Sequence, residues 1–435
     1  MDGRSMLDRL RKVVNAEGMG GPALIMLIAT VGGGGCNFLY QVVMQNLVPT
    51  EFSEINTLLA ILYIFAVPAG AVQNVLTRYS AKYHAQGREG CIAWMLRRTL
   101  VLVLILGSVA TVGLIAVLNV PGVRAALMLT STLPIVLTGL AVLLSLFTPI
   151  GTGPLQGLQR FSLYGIGYGG NYLLKLVVGV GLVVLGLEVT GAIGGALVGI
   201  AFGAGFSMLA VRGHLTSRGE RGESAEIWRF TLPSMMGALG FTILTNVDVI
   251  LAALLLEKDP ANYYTAASML AKIILFLPSA MAAVMFPKIA NLHAQRQETW
   301  AVLKTAFGAT ILLSGLAAAA FVLFPDAILH LLVPNNPYLV QIAPVLQILA
   351  PTMALFGLAN LFMLYGLATD GHAYIVIQLL STLVLFGLVG GIAATGRLFT
   401  AELLAETMAL TGVFIIVMSA LYLFVVEREW SPRRA

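Results

Sequence analysis

Twelve long apolar runs, separated by short charged or Pro/Gly-rich breaks, account for most of this 435-residue sequence. A helix needs about 20 apolar residues to cross the hydrocarbon core of a bilayer. A backbone in lipid must satisfy its own polar groups, and the runs lack strand-like alternation, so each is predicted to be a helix. The predicted spans are 22–47, 55–77, 99–118, 127–150, 164–187, 190–211, 230–256, 263–287, 301–324, 339–368, 373–394 and 400–426.

Charged residues make up only 10% of the chain and hydrophobic residues 58%, whereas an ordinary soluble domain is about 25% charged. Twelve spans of about 20 residues use roughly 250 residues and leave only short loops and tails. A soluble globular protein and a large extramembrane domain are therefore excluded. The predicted fold class is all-α, a polytopic membrane protein of about 12 transmembrane helices.

The positions of Lys and Arg predict the orientation of these helices. With the N-terminus placed in the cytoplasm, inner loops and tails hold about 20 of the 25 basic residues. The outer loops hold only Arg124, Lys258 and Arg397. This bias predicts that both termini are cytoplasmic. The net charge of +5 thus reports topology, not nucleic-acid binding.

A weak internal repeat predicts the domain organisation. Phe65-Ala-Val-Pro68 and Phe276-Leu-Pro278 each begin a helix segment that ends in a basic residue and a His-Ala-Gln loop. Chance similarity between apolar helices is the alternative explanation. We predict two pseudo-symmetric six-helix bundles around a central cavity, a plan that places transporter substrates at the interface of the halves. The predicted parts are an amphipathic cytoplasmic tail (1–21), the N-terminal bundle (22–211), a cytoplasmic linker (212–229), the C-terminal bundle (230–426) and a second tail (427–435).

Ionisable residues inside the predicted spans are the main candidates for function, because a charge near the bilayer centre costs roughly 2.5–3.5 kcal/mol. Asp248 and Lys272 lie at similar depths, about 13 and 16 Å from the outer loop between their helices. We expect that they can meet. Two interpretations stay open, a structural ion pair and a site for a coupling ion or substrate.

Lys175 is the third intramembrane charge, and the first six apolar spans contain no acidic residue. It is predicted either to face a cavity and attract an anion or to extend its ammonium group toward the membrane surface as a structural lysine.

The first span carries Asn37, Gln41 and Gln45 at successive i, i+4 positions, which places three amides on one helix face. These amides are predicted either to bind sugar hydroxyls or to hold helices together. The preceding run Gly32–Gly35 favours a hinge or kink, because each glycine weakens a helix by up to about 1 kcal/mol; close helix packing is the alternative.

Arg78 belongs to a basic group with Lys82, Arg97 and Arg98 at the predicted inner mouth of the second and third helices. The charge is interpreted as a topology signal that contacts lipid headgroups, with recruitment of an anionic lipid-linked substrate as the second interpretation.

Motifs for the main kinds of catalysis are missing from the sequence. It contains no G-x-x-x-x-G-K-[ST] loop, no H-E-x-x-H and no G-x-S-x-G elbow. Its two cysteines predict neither a disulfide framework nor a metal site. We therefore predict no enzyme, no cofactor and no bound metal.

Several segments together resemble a known family. They are Asn246-Val-Asp248, the run from Tyr263 through Lys272 to Pro278, the stretch from Pro49-Thr-Glu-Phe52 to Lys82, and Leu349-Ala-Pro351. They are similar to the bacterial polysaccharide flippases of the multidrug/oligosaccharidyl-lipid/polysaccharide exporter superfamily. In this resemblance Asp248 and Lys272 match recurrent family positions. Lys175 and the amide face of the first span are candidates because of their own chemistry and not because of the resemblance.

The resemblance implies a secondary transporter in the bacterial inner membrane. Its substrate is an undecaprenyl-pyrophosphate-linked oligosaccharide, moved from the inner to the outer leaflet by alternating access for cell-surface polysaccharides such as exopolysaccharide or O-antigen. The implied partners are this substrate, membrane lipids, H⁺ or Na⁺ as the coupling ion, and glycosyltransferases or polymerases.

Three other functions remain open at this point. A multidrug/cation antiporter on the same scaffold is disfavoured by the absence of an acid in the first span. A membrane-embedded glycan polymerase or ligase is disfavoured by short outer loops. An assembly subunit of a polysaccharide synthase is not excluded, and co-purification with a glycosyltransferase would favour it.

Overall fold

A computed structural model describes residues 20–216, 219–220, 225–278, 299–369 and 373–430, together with residues 285, 289, 292, 295 and 297. The predicted amphipathic tail and most of the second copy of the internal repeat after Pro278 lie outside the described residues. Within the described part of the chain every regular element is helical, so the all-α prediction is confirmed.

The helices follow one another through short connections. The first nine are α1 (Gly20–Leu47), α2 (Phe52–Ala85), α3 (Glu89–Leu102), α4 (Ser108–Leu118), α5 (Pro121–Ala126), α6 (Thr132–Gly157), α7 (Phe161–Leu182), α8 (Glu188–Ala210) and α9 (Arg212–Thr216). The others are α10 (Ala225–Leu255), α11 (Lys258–Phe276), α12 (Trp300–Leu323), α13 (Pro325–Leu332), α14 (Leu339–Ala368), α15 (Ala373–Ala394) and α16 (Ala401–Trp430). A π-helical turn, Val103–Gly107, joins α3 to α4, so these two form one long helix.

Nine helical segments of the described chain are long and apolar enough to cross a membrane. This count treats Phe161–Ala210 as a single segment. That segment comprises α7 and α8, which meet at Val183–Leu187. Each of the twelve predicted spans coincides at least in part with a helix of the structure. The prediction of a polytopic membrane protein is therefore confirmed. α1 is continuously helical through Gly32–Gly35, and the hinge or kink expected there stays a prediction.

The α7–α8 pair is an antiparallel hairpin whose turn depends on Gly186. Gly186 has φ +88°, a conformation that glycine adopts without the steric cost of a side chain. Small residues then let the two backbones approach closely, as in other membrane helix pairs. Successive glycines of α8 contact residues progressively earlier in α7: Gly191 meets Leu182, Gly195 meets Gly179, Gly199 meets Asn171 and Gly203 meets Gly167.

Gly195→Ala is expected to destabilise the hairpin by about 1–3 kcal/mol, the usual cost of overpacking. An alanine Cβ at this position would lie 2.3 Å from the Gly179 Cα and 2.9 Å from the Lys175 carbonyl oxygen, and backbone atoms cannot move aside cheaply. The measurement is the apparent Tm of the purified protein in detergent. Gly205→Ala in the same helix is the matched control, because its Cβ would meet nothing within 4 Å. Equal Tm values for the two variants would contradict close packing of α7 and α8 at Gly195.

The chain divides into two compact units. Unit 1 comprises Met1–Met44, Phe65–Arg124 and Thr130–Thr231, and unit 2 comprises Gln45–Ile64, Ala125–Leu129 and Leu232–Ala435. A cluster around Tyr79, Tyr83 and Ile92 forms part of the core of unit 1. The division into two six-helix halves, drawn from the sequence repeat, stays a prediction.

Candidate functional site

Two buried clusters contain the charges that the sequence places inside the membrane. Lys175 belongs to unit 1, whereas Asp248 and Lys272 belong to unit 2. All three residues are buried, with exposed fractions of 5%, 0% and 6% respectively. Each cluster has its own arrangement of partners.

The Lys175 ammonium group is turned toward α1. Its Nζ donates a hydrogen bond of 2.8 Å to Asn37 Oδ1. The same Nζ lies 4.3 Å from the centroid of the Tyr40 ring, within the range of a cation–π interaction. The Tyr40 hydroxyl in turn donates to the Ala192 carbonyl oxygen at 2.9 Å, which anchors the ring on α8. The amine is thus held by an amide oxygen and an aromatic face inside unit 1.

Glycine in α8 makes room for this lysine. A Cβ at Gly199 would lie 3.1 Å from Lys175 Cβ and 2.3 Å from the Asn171 carbonyl oxygen. The helix pair therefore packs closely at this depth only because that side chain is missing. The role of Lys175 in attracting an anion remains a prediction.

The amides of α1 have unequal environments. Asn37 holds Lys175, as described. Gln41 is 8% exposed, and its Oε1 has no hydrogen-bond partner among the described residues. Gln45 is fully buried in unit 2, where neither polar atom of its side chain finds a partner in the described chain. A buried polar group without a partner costs about 1–3 kcal/mol, so these two amides are hydrogen-bonding groups that the described chain leaves unsatisfied.

Asp248 and Lys272 meet, as their predicted depths allow. Lys272 Nζ lies 3.3 Å from Asp248 Oδ1. The Ser268 hydroxyl donates to the other carboxylate oxygen. Ser268 and Lys272 are four residues apart on α11, so one face of this helix supplies both partners. The cluster is an ion pair reinforced by a hydroxyl.

Tyr264 extends the same stripe of α11 by one further turn. It is fully buried, and its hydroxyl has no hydrogen-bond partner within the described residues. Sequence reasoning missed Ser268 and Tyr264. The available signal was their spacing from Lys272, since 264, 268 and 272 follow the i, i+4, i+8 rule for one helix face.

Asn262 on α11 stabilises the α1–α2 corner within unit 2. Its Nδ2 donates to the Thr50 carbonyl oxygen at 2.7 Å, and its Oδ1 accepts from the Ser53 N–H at 2.9 Å. Lys258 and Glu51 form a 3.6 Å ion pair at the same corner. The sequence gives no local sign of Asn262's role, because its partners are about 210 residues earlier.

Tyr338, just before α14, makes a polar contact near the start of α11. Its hydroxyl donates to Asp259 Oδ1 at 2.7 Å. Partial burial and the nearby Asp259 carboxylate raise the pKa of Tyr338 to about 12.

Arg78 lies on the exposed side of α2 and is part of neither buried cluster. Its neighbour Thr77 donates to the Gly153 carbonyl oxygen at 3.2 Å, which joins α2 to α6. Lys82 lies 5.5 Å from the centroid of the Tyr79 ring. No group of three or more His, Cys, Asp or Glu residues arranged to hold a metal ion occurs in the described part of the chain.

The sequence model of the family described as "Polysaccharide biosynthesis protein" matches residues 22–293, more than half of the chain. The chain belongs to this family. The match includes the α1 amides, Lys175, Asp248 and Lys272. The family resemblance seen in the sequence is therefore confirmed.

Solved structures show what fold this polysaccharide biosynthesis protein has. An inward-facing multidrug resistance MATE family transporter of the MOP superfamily matches with TM-score 0.73 and 13% identity over 90% of this chain and 95% of that chain. The lipid II flippase MurJ, in an inward closed conformation, matches with TM-score 0.71 and 11% identity over 93% of this chain and 87% of that chain. An outward-facing MATE family transporter matches with TM-score 0.64 and 14% identity over 92% of this chain and 94% of that chain. No curated protein sequence matches the chain.

Identities of this size show the fold alone. The family member is thus a multi-pass membrane protein with the fold of flippases and MATE transporters.

Proposed function

We propose that this protein is a flippase that moves a polyprenyl-pyrophosphate-linked oligosaccharide from the inner to the outer leaflet of the bacterial inner membrane. The observation that carries the proposal is the match of the polysaccharide biosynthesis family to residues 22–293 on a chain with a transporter fold. Transport proceeds by alternating access without ATP hydrolysis, and both termini are cytoplasmic.

The buried charges support a role in moving an anionic, hydroxyl-rich substrate. Placing a charged side chain in the membrane interior costs free energy. Such a residue is therefore more often functional than incidental. In our proposal Lys175 attracts the pyrophosphate, and the amides of Asn37, Gln41 and Gln45 bind sugar hydroxyls. Arg78 attracts the headgroup at the cytoplasmic surface.

The Asp248–Lys272 pair is proposed as the coupling element. A carboxylate held by an ammonium group and a hydroxyl can exchange either partner for H⁺ or Na⁺ when its surroundings rearrange. Such an exchange would bias the protein between two conformations. Glycosyltransferases and polymerases that make and use the substrate are the proposed partners.

Deletion of the gene in its own host tests the proposal. We expect loss of the surface polysaccharide and accumulation of lipid-linked oligosaccharide in the inner leaflet, where added periplasmic glycosidase does not reach it. Restoration by the plasmid-borne wild-type gene is the control. Normal surface polysaccharide in the deletion strain would overturn the proposal.

The alternative function is a multidrug/cation antiporter, favoured by the fold shared with MATE transporters. It predicts that the same deletion strain becomes sensitive to cationic drugs while its surface polysaccharide stays normal. A synthase assembly subunit predicts instead that lipid-linked oligosaccharide synthesis itself falls and that the protein co-purifies with a glycosyltransferase. The three functions thus give three different results in one strain.

A further inference from the structure

A cleft of about 610 Å³ opens beside the C-terminal half of α3 in unit 1. Its volume lies within the range of about 300–1,000 Å³ that is usual for small-molecule sites. We call it the α3 cleft. It is lined by Trp94, Arg97, Arg98, Val101, Leu102 and Gly219.

Gly219, which comes after α8 in the chain, lines the α3 cleft opposite the side chains of α3. Arg97 Nε donates to the Leu215 carbonyl oxygen at 2.7 Å, and the Glu220 N–H donates to the Gly90 carbonyl oxygen at 2.9 Å. Between these two contacts Gly219 passes beside Trp94, where a Cβ would lie 3.5 Å from the Trp94 Cβ. Described residues before and after Gly219 in the chain are therefore hydrogen-bonded to α3.

The two arginines of the cleft are held in position by their neighbours. Arg97 is held through its Nε, and the Arg98 guanidinium lies 5.4 Å from the centroid of the Trp94 ring. Both side chains are nevertheless exposed. A guanidinium matches the geometry of a phosphate group, and positioning it in advance reduces the entropy lost on binding. The polar part of the cleft thus favours a phosphate.

The apolar part of the cleft leads into a lipid-facing surface. Val101 is 55% exposed, and Leu104, Ile105 and Leu106 are exposed to a similar extent. These residues begin about one helical turn, or 5.4 Å, beyond the arginines. Trp prefers the membrane interface, so Trp94 and the arginines lie at headgroup level when the leucines lie among acyl chains. A ligand in the cleft therefore has an anionic head and an apolar tail.

We propose that the α3 cleft binds an anionic glycerophospholipid, with its phosphodiester on Arg97 and Arg98 and its acyl chains along Val101 and Leu104. Two basic residues near a membrane surface give roughly a 30-fold preference for an anionic lipid. A preference of this size is enough for the cleft to hold an anionic phospholipid that is abundant in the cytoplasmic leaflet. It is too small for the cleft to bind a scarce carrier lipid selectively. The proposal does not depend on which substrate the protein transports.

Fluorescence quenching of Trp94 tests the proposal in reconstituted full-length protein. Trp228, Trp300 and Trp430 are replaced by Phe, so that Trp94 is the remaining tryptophan. Two kinds of vesicle are the probes. One contains brominated phosphatidylglycerol and ordinary phosphatidylcholine, and the other contains ordinary phosphatidylglycerol and brominated phosphatidylcholine. We expect quenching to report a preference for phosphatidylglycerol of about 30-fold, which salt weakens.

Arg98→Ala is expected to lower that preference by about fivefold, and Arg98→Lys to retain most of it. Gly219→Phe is expected to abolish it, since the new side chain fills the cleft without adding a second tryptophan. Arg88→Ala is the matched control. Arg88 is a basic residue whose guanidinium also lies over an aromatic ring, 5.5 Å from that of Tyr83, but it does not line the cleft. We expect Arg88→Ala to keep the wild-type preference.

Native mass spectrometry of the unmodified protein provides a second readout that does not require the three Phe replacements. We expect one retained phosphatidylglycerol in wild type and none in the Gly219→Phe variant. Equal quenching by both lipids, or an equal loss in Arg88→Ala and Arg98→Ala, would overturn the proposal. Displacement of phosphatidylglycerol by equimolar undecaprenyl phosphate would also overturn it, by assigning the cleft to the carrier lipid.

Discussion

Asp248→Asn is expected to lower the stability of the folded protein by about 3–5 kcal/mol and to abolish transport. Asparagine cannot compensate the Lys272 ammonium group, which lies 3.3 Å from the carboxylate on a buried residue. The result is a buried charge without a counter-ion, which costs far more than the pair itself contributes. Because membrane proteins often unfold irreversibly, the measurement is the half-life of monodisperse protein at fixed temperature in detergent.

A double variant separates the structural from the functional interpretation of this pair. Asp248→Asn combined with Lys272→Met removes both charges, and replacing a buried ion pair with neutral groups is often close to neutral for stability. We expect the double variant to regain most of the lost half-life. A coupling role predicts that it folds but does not transport, whereas a structural pair predicts recovery of both.

Ser268→Ala is the graded control for this experiment. It removes one hydrogen bond to the carboxylate and leaves the ion pair intact, so we expect a loss of about 1–3 kcal/mol. A Ser268→Ala variant less stable than Asp248→Asn would show that the ion pair does not dominate the cluster. Full transport by the double variant would rule out Asp248 as the coupling residue.

Lys175→Met is expected to leave the protein folded and to lower transport tenfold or more, equivalent to about 1.4 kcal/mol. Methionine keeps the unbranched stem against Tyr40 and removes the buried positive charge. If Lys175 attracts the pyrophosphate, cells that carry the variant accumulate inner-leaflet glycan. The measurement is the amount of surface polysaccharide and of lipid-linked oligosaccharide per cell.

Asn37→Asp provides an independent test of the same charge. Asn37 Oδ1 already accepts from Lys175 at 2.8 Å, so aspartate at this position would form an ion pair that neutralises the cation without removing it. We expect the same accumulation as in Lys175→Met. Leu173→Met is the matched control, because Leu173 lies two residues away on α7 and is 52% exposed. Unchanged surface polysaccharide in both Lys175→Met and Asn37→Asp would show that this lysine is structural.

The sequence predicts the helices of this protein well, because the physics of a bilayer depends on local composition. A run of apolar residues long enough to span lipid must be helical whatever surrounds it. The segments around Ile55–Thr77 and Ala373–Ala394 therefore coincide with α2 and α15. Their boundaries are less well predicted. The apolar run ends at Thr77, whereas α2 continues through polar residues to Ala85.

The candidate site is predicted only in part. Asp248 and Lys272 are on neighbouring helices joined by a short loop, so their depths alone indicate that they can meet. The contact of Lys175 with Asn37 joins residues 138 positions apart, and nothing local in either segment indicates it. The contacts of Asn262 with Thr50 and Ser53 are equally remote in sequence.

Composition and charge placement thus determine by themselves that the chain is a polytopic helical membrane protein and which few charges lie within the membrane. These properties follow from the free energy of transferring each segment into lipid, which is nearly independent of other segments. Only the tertiary structure decides the partners of those charges. Side-chain contacts depend on how helices pack, and packing in lipid depends on small residues such as Gly195 and Gly199, whose effect appears only when two backbones approach.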